Sequence, residues 1–438
     1  LARRKMWNQM RMNPTDLADV SGATYTFLVN GSTPFDNWTA IAKAGERVRL
    51  RFINGSATTT FDVRIPGTKL SVVSADGQDV EPVEVDEFRI AVAETYDVVV
   101  QMPDDRAHTI FAQAMDRSGF ARATIAPEQE MSAEVPPMDP KTWLSMTDMG
   151  MGDMTGMDMG NASRMDMKGM DMGGMKGMNG SKPMPDMGDM KHGSNMKDMK
   201  GMDNMPGMHD MSKMDSMASM KNGSSMPDMD MDHSMQGMDN MGSMDQGTGQ
   251  SKGKDAGGME GMPGMKSSGM APMNTGPQVD MRAMSPSKSL SDPGPRLRNN
   301  GRRVLTYADL RTLGPPLDNR PPTRELELHL TGNMQRFIWG FDGKKYSESE
   351  PIRLVYGERL RVTLVNDTMM NHPMHLHGMF SELESEDKRS LLRKHTINVQ
   401  PAKQVNFLLT ANAPGQWAFH CHLLYHMEAG MFRKVVVA

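Results

Sequence analysis

Two stretches of this chain repeat one rhythm of apolar and polar positions. Gly45–Asn54 reads Gly-Glu-Arg-Val-Arg-Leu-Arg-Phe-Ile-Asn, and Gly357–Asn366 reads Gly-Glu-Arg-Leu-Arg-Val-Thr-Leu-Val-Asn. In each, a turn residue precedes apolar residues at every second position, which predicts a half-buried β-strand. The two stretches lie 312 residues apart. Carrying that spacing forward sets Thr60, Val63 and Ile65 where His372, His375 and His377 stand. Ile110–Ala114 resembles Ala418–His422, and Gly119-Phe120 falls where Gly430-Met431 falls. One framework is therefore expected twice, once with histidines and a cysteine and once without. Evenly spaced strands with Gly and Pro turns predict an all-β chain of two β-sandwiches, over residues 1–127 and 301–438. Glu325–Leu330 is a further expected strand, with Leu326, Leu328 and Leu330 inward. His329 is then expected on its solvent face. His108 and His395 have no partner at ligand spacing and are expected to be non-ligands.

The segment 128–300 breaks the rhythm. Between Met146 and Met284 it holds 38 of the 52 methionines, in Met-Asp-Met, Gly-Met and Met-x-x-Met units. It has no helical period and almost no Leu, Ile, Val or Phe. Its Gly, Pro and Asp predict a disordered segment when metal-free. A plain linker is one reading. The other is metal capture, because thioether sulfur is a soft ligand suited to Cu(I) or Ag(I). His192, His209 and His233 would be auxiliary ligands.

Composition narrows the partners. A formal net charge of −5 on 438 residues argues against a nucleic-acid partner, which would need a basic patch. No apolar run approaches the roughly 20 residues of a membrane-spanning helix, and no signal peptide is visible. The chain opens on Leu1-Ala2-Arg3-Arg4 and reads as a fragment. Its single cysteine, Cys421, leaves no disulfide framework.

That cysteine lies in His420-Cys421-His422, followed by His426 and Met431. Asn371–Gly378 reads Asn-His-Pro-Met-His-Leu-His-Gly. Six of the twelve histidines fall in these two stretches. On a strand, neighbouring side chains take opposite faces. His420 and His422 then share a face that Cys421 does not, and His375 and His377 share a face. Two such pairs on adjacent strands would offer four imidazoles to one metal cluster. His372, separated by Pro373, is expected to turn toward the cysteine's side, with His426 and Met431 on the loop after the strand. Two imidazoles, a thiolate and a weak thioether form the donor set of a blue-copper site. Zinc is the rival, but structural zinc sites usually carry two or more cysteines at closer spacing.

The two stretches match H-x-x-H-x-H and H-C-H-x-x-x-H-x-x-x-x-M. On these motifs the chain resembles the C-terminal part of a multicopper oxidase, of the bacterial periplasmic copper-resistance type. The resemblance implies two cupredoxin-like Greek-key sandwiches joined by the Met-rich segment. It implies a type 1 copper on His372, Cys421, His426 and Met431, a type 2 copper on His375, and type 3 coppers on His377, His420 and His422. Cys421, His420 and His422 would form the electron path. Members of the family have three domains, the first supplying two more H-x-H pairs. This chain has none outside 375–377 and 420–422. The first domain is expected to be missing, and the chain alone to be incomplete for turnover.

The expected function is a periplasmic oxidase that takes electrons from Cu(I), or another one-electron reductant, and gives them to O2, with periplasmic copper-handling partners. The alternative is non-enzymatic copper sequestration by the Met-rich segment. A one-copper electron carrier is a third reading, and the four remaining histidines argue against it. Met369, Met370, Met374 and Met379 stand either as Cu(I) docking groups or as core filling.

Overall fold

The computed structural model of the chain describes residues 17–141, 143–151, 276–385 and 391–438. Residues 152–275 of the Met-rich segment, with His192, His209 and His233 and the metal capture expected there, lie outside these residues. Among the described residues the architecture is all-β, as two cupredoxin-like sandwiches.

In the first sandwich, one sheet runs β1 (Thr39–Ile41), β9 (Phe120–Ala126), β8 (His108–Ala114), β3 (Phe61–Arg64), β6 (Glu87–Ile90). Its facing sheet runs β2 (Arg47–Ile53), β7 (Thr95–Gln101), β4 (Leu70–Ala75), β5 (Gln78–Val85). The second sandwich repeats both orders. One sheet runs β12 (Ile352–Leu354), β20 (Phe432–Val437), β19 (Gly415–Cys421), β14 (His372–Leu376), β17 (Thr396–Val399). The other runs β13 (Arg359–Asn366), β18 (Gln404–Thr410), β15 (Ser381–Glu384), β16 (Leu391–Lys394). β10 (Arg324–Asn333) and β11 (Ile338–Phe341) are added beside β13. Strand by strand, the internal repeat is a repeat of topology.

The repeat shifts by one residue between its second and third strands. The Asn54 side chain donates to the carbonyls of Thr59 and Ile90, at 2.8 and 3.0 Å. Asn366 donates in the same way to Met370 and Val399, at 2.7 and 2.9 Å. Asn54 and Asn366 are 312 apart, but Thr59 and Met370 are 311 apart. The first sandwich thus has one extra residue in this loop, and one residue of slip exchanges the faces of a strand. Val63 and Ile65 consequently join the hydrophobic core, as Met374 and Leu376 do. The residue on the face of His375 is Arg64, not Val63.

The ends of the methionine-rich stretch also differ from expectation. Leu144, Met149, Val279, Met281 and Leu297 are buried, although composition placed all of them in the linker. The backbone of Ser285 donates to Gly150 at 2.9 Å, so the two stems are held side by side. The Ala283 amide donates to Asp367, and the Asp280 amide to Gly332. Apolar residues too sparse to define a periodic element still add to a core that neighbouring strands have built.

The two sandwiches are tied by a buried cation. Lys394 is fully buried, with Nζ 3.1 Å from Asp76 and 3.2 Å from Glu94. Tyr307 donates its hydroxyl proton to Glu94 at 2.5 Å and accepts from the Asn398 amide at 2.8 Å. Burial of the ammonium is outweighed by both carboxylates, so its pKa is raised. Replacing Lys394 with Met leaves Asp76 and Glu94 buried without a counter-charge. A destabilisation of ~3–5 kcal/mol is expected in denaturant unfolding; a loss below about 1 kcal/mol would reject the tie.

Candidate metal centre

β14 and β19 pair antiparallel, with Met374 opposite Cys421 and His375 opposite His420. Alternation then divides the motif residues between two faces. His372, Met374 and Cys421 face the interior, and all three are buried. His375, His377, His420 and His422 take the outer face. Pro373 turns nothing: β14 runs straight through it, pairing with Asn398 on β17. Strand parity alone separates His372 from His375. His426 arrives on α1 (Leu424–Glu428), a short helix rather than a loop.

On the inner side, Cys421 Sγ lies 3.6 Å from His372 Nδ1 and 3.9 Å from His426 Nδ1. The two Nδ1 atoms are 3.2 Å apart. These three residues form the metal-competent group found among the described residues, each fully buried. Three donors around one ion in a trigonal plane, at roughly 2.0–2.3 Å each, stand about 3.5–4 Å from one another. The observed spacings match that requirement closely enough for one ion to fit with small adjustments. Met431 is fully buried and tied to the group by its backbone. Its carbonyl accepts from the Cys421 amide at 3.0 Å, and its amide donates to His426 at 2.9 Å. Gly430 before it has φ +121°, and a Cβ there would meet Lys345 Cβ at 2.4 Å and the Trp339 carbonyl at 2.7 Å. Only glycine brings Met431 into this position without strain.

Residues outside the motifs hold the rings. Thr368 Oγ1 lies 2.7 Å from His372 Nε2. Asp19 Oδ2 lies 3.2 Å from His426 Nε2. Trp339 stacks on His426, with centroids 3.7 Å apart and planes at 22°. Such partners fix ring orientation and raise ligand basicity. Thr368 was open to sequence reasoning, because it repeats Ser56, which bonds Asn54 as Thr368 bonds Asn366. Asp19 carries no local signal, since 407 residues separate it from His426.

The group carries little charge without metal. Burial pushes the Cys421 thiol well above its ordinary range. Burial, then the charge of His426, holds His372 well below its own range. His426 is lowered by burial, against the opposing pull of Asp19. A neutral thiol between neutral imidazoles is a stable apo state. A thiophilic metal would displace the thiol proton.

On the outer side, the rings of His375 and His377 lie 4.6 Å apart, and those of His420 and His422 5.3 Å apart. His377 Nε2 is 3.2 Å from His420 Nε2. His377 is exposed, while His375 and His422 are half-buried. Burial takes His375 down to about 4 and lowers His420 and His422. On this face His375, His420 and His422 are therefore neutral imidazoles at neutral pH.

His395 joins this face, with its ring 5.2 Å from that of His375 and its carbonyl 2.8 Å from His375 Nδ1. It lies in the bend between β16 and β17, a placement its spacing in sequence did not suggest. His329, expected in solvent, is only 25% exposed in its side chain and lies 2.7 Å from Asp367. That contact raises its pKa. His108 is buried and lies 3.0 Å from Asp104. Met369, Met370, Met374 and Met379 are all buried in the hydrophobic core, in keeping with the core-filling alternative.

Residues 4–130 and 319–438 each match a family model described as multicopper oxidase. The chain is 52% identical over 437 residues to copper resistance protein A of Escherichia coli, covering 100% of this chain and 63% of that protein. Against copper resistance protein A of Pseudomonas syringae pv. tomato the identity is 53% over 443 residues, with coverage of 100% and 63%. The multicopper oxidase MmcO of Mycobacterium tuberculosis is 35% identical over 161 residues, 35% of this chain and 31% of that protein. The chain thus spans just under two thirds of the length of the first two relatives.

Thr368→Val removes the partner of His372 and keeps the side-chain shape. Copper affinity at the inner group is expected to fall 10–100-fold, with a shifted thiolate-to-copper absorption band. An unchanged band and affinity would deny Thr368 any part in orienting the ring.

Proposed function

The chain belongs to the multicopper oxidase family, and from that premise we propose that it accepts electrons from Cu(I) at the inner group and passes them through Cys421 to the outer histidines, for delivery to O2. The inner ligands are His372, Cys421 and His426, with Met431 as the weak fourth. The outer ligands are His375, His377, His420 and His422. One observation carries the reading: Cys421 contributes its sulfur to one donor set while the residues bonded to it on either side belong to the other. Copper bound in the inner group supplies one-electron exchange between its two oxidation states.

The residues divide the remaining work. Burial of Cys421, His372 and His426 excludes water. Thr368 and Asp19 hold the outer nitrogens of the two imidazoles. Trp339 covers the face of His426 and fixes its plane. Bonds from Cys421 to His420 and His422 give the shortest route between the two faces. The outer set is open to solvent at His377, and O2 is small enough to reach it.

Cu(I) is the substrate the sequence favours. The 38 methionines between Met146 and Met284 are soft ligands on one continuous segment. Its two stems are joined at Gly150 and Ser285, so captured ions stay at high effective concentration. Oxidising Cu(I) yields a less thiophilic ion, which gives copper resistance a chemical basis. We place this activity in the periplasm. The methionines alone also support a second reading, in which the chain stores copper without turnover.

Two measurements separate these readings. Copper-loaded chain is expected to show the intense blue thiolate band, and Cys421→Ser to lose it; a colourless wild type sinks the inner-site assignment. Supplied with a protein extended upstream by two H-x-H pairs, Cu(I)-dependent O2 uptake is expected to fall at least ~10³-fold in Cys421→Ser, on the scale of losing an essential group. Equal uptake by both proteins would leave storage as the function.

A further inference from the structure

The outer face of the first sandwich corresponds to the face that carries the four imidazoles in the second, and it is filled with charge. Asp62 accepts from Arg89 at 2.7 and 3.1 Å and lies 2.7 Å from Arg117. Glu87 lies 3.5 Å from Arg64 and 2.7 Å from Arg302. Asp139 is 3.4 Å from Arg64, is paired with Arg302, and accepts from Gln113 at 2.7 Å. Asp62 and Glu87 are fully buried.

Arg296 lies over this network and has no counter-ion of its own. It is 6% exposed, and its Nε and Nη1 have no hydrogen-bond partner among the described residues. Arg117, 3% exposed, leaves Nε without a hydrogen-bond partner, and its Nη2 only reaches Asp139 at 4.0 Å. Two residues before Arg296, a Cβ on Gly294 would stand 2.7 Å from Arg89 Nη1, so this segment rests directly on the guanidinium layer. Burial first, then the charges of Arg117 and Arg89, take Arg296 down to about 10. Asp116 and Asp62 oppose that shift with their negative charges. Asp116 already accepts from the Ser118 amide and hydroxyl, at 3.1 and 2.8 Å.

Five guanidiniums (Arg64, Arg89, Arg117, Arg296 and Arg302) thus face four carboxylates (Asp62, Glu87, Asp116 and Asp139). Guanidinium does not deprotonate in proteins, so the imbalance is a buried positive charge. An uncompensated buried charge costs several kcal/mol, and unpaired buried N–H groups add to that cost. We infer that a small monovalent inorganic anion of the chloride class binds against Arg117 and Arg296 and completes this network. The N–H groups left without hydrogen-bond partners are its donors. The role is structural and independent of the copper chemistry.

The test compares melting of the wild-type chain in sodium chloride, sodium bromide and sodium gluconate at equal ionic strength. Chloride and bromide are expected to raise the melting temperature over gluconate along a one-site curve. At a hundred times the dissociation constant the folding equilibrium shifts about 100-fold. Arg296→Gln is expected to abolish the halide dependence, and Arg296→Lys to keep a weakened one. Crystals in bromide should give an anomalous peak against Arg117 and Arg296, which decides the matter even if the variants fold poorly. Equal melting in all three salts overturns the proposal. So does an Arg296→Gln protein more stable than wild type by the same margin in every salt, since that marks a merely unpaired guanidinium.

Discussion

Everything specific to this chain depends on one constraint of extended backbone: adjacent residues on a strand point to opposite faces. On β19 that constraint acts on three consecutive ligand-type residues. Cys421 must enter the sandwich, and His420 and His422 must leave it. β14 pairs with β19 in a register that repeats the division, with His372 inward and His375 outward. A buried donor set and an open one are therefore back to back across a single sheet, joined by peptide bonds. A slip of one residue in either strand would exchange the faces and dissolve both groups.

The two sandwiches give different answers to the same packing problem. On the outer face of the second, imidazoles are left open, and His377 reaches solvent. On the outer face of the first, Arg64, Gln113, Glu87 and Arg89 occupy the equivalent strands. There the segments around Pro137–Asp139 and Arg296–Arg302 close over them. Charges so deeply buried need partners, and almost every one is paired. The blank face is thus a sealed ionic layer rather than an eroded metal site. With the one-residue insertion before β3, Phe61 and Arg64 take the places of His372 and His375.

The first sandwich does more for the second than pack against it. Asp76, at the tip of the β4–β5 hairpin, accepts from the amides of His395 and Thr396 at 3.1 Å each. The carbonyl of His395 and the hydroxyl of Thr396 lie 2.8 and 3.1 Å from His375 Nδ1. Lys394 meets the same carboxylate oxygen at 3.1 Å. One outer imidazole is therefore oriented through a chain of hydrogen bonds that begins in the neighbouring sandwich. On the inner side, Asp19 makes the matching contact with His426. Both histidine groups lean on contacts from the first sandwich and the residues before it.

The strand class, the repeat and the partition of motif residues between two faces were legible along the chain, because period-two alternation is a local property. So was the soft character of the donors, which follows from residue type. Three things were not. The slip from 312 to 311 is hidden in a loop, where no periodicity marks an insertion. Met149 and Met281 sit in low-complexity surroundings, and only the strands they meet make them core. Asp19, Trp339 and Asp76 reach their histidines across long separations, and their roles exist only where the fold closes those distances. Sequence by itself determined which atoms could bind metal and which face each would take. Tertiary structure alone decided how those atoms are held, oriented and shielded, because contact, burial and charge balance are properties of what lies next to a residue in space.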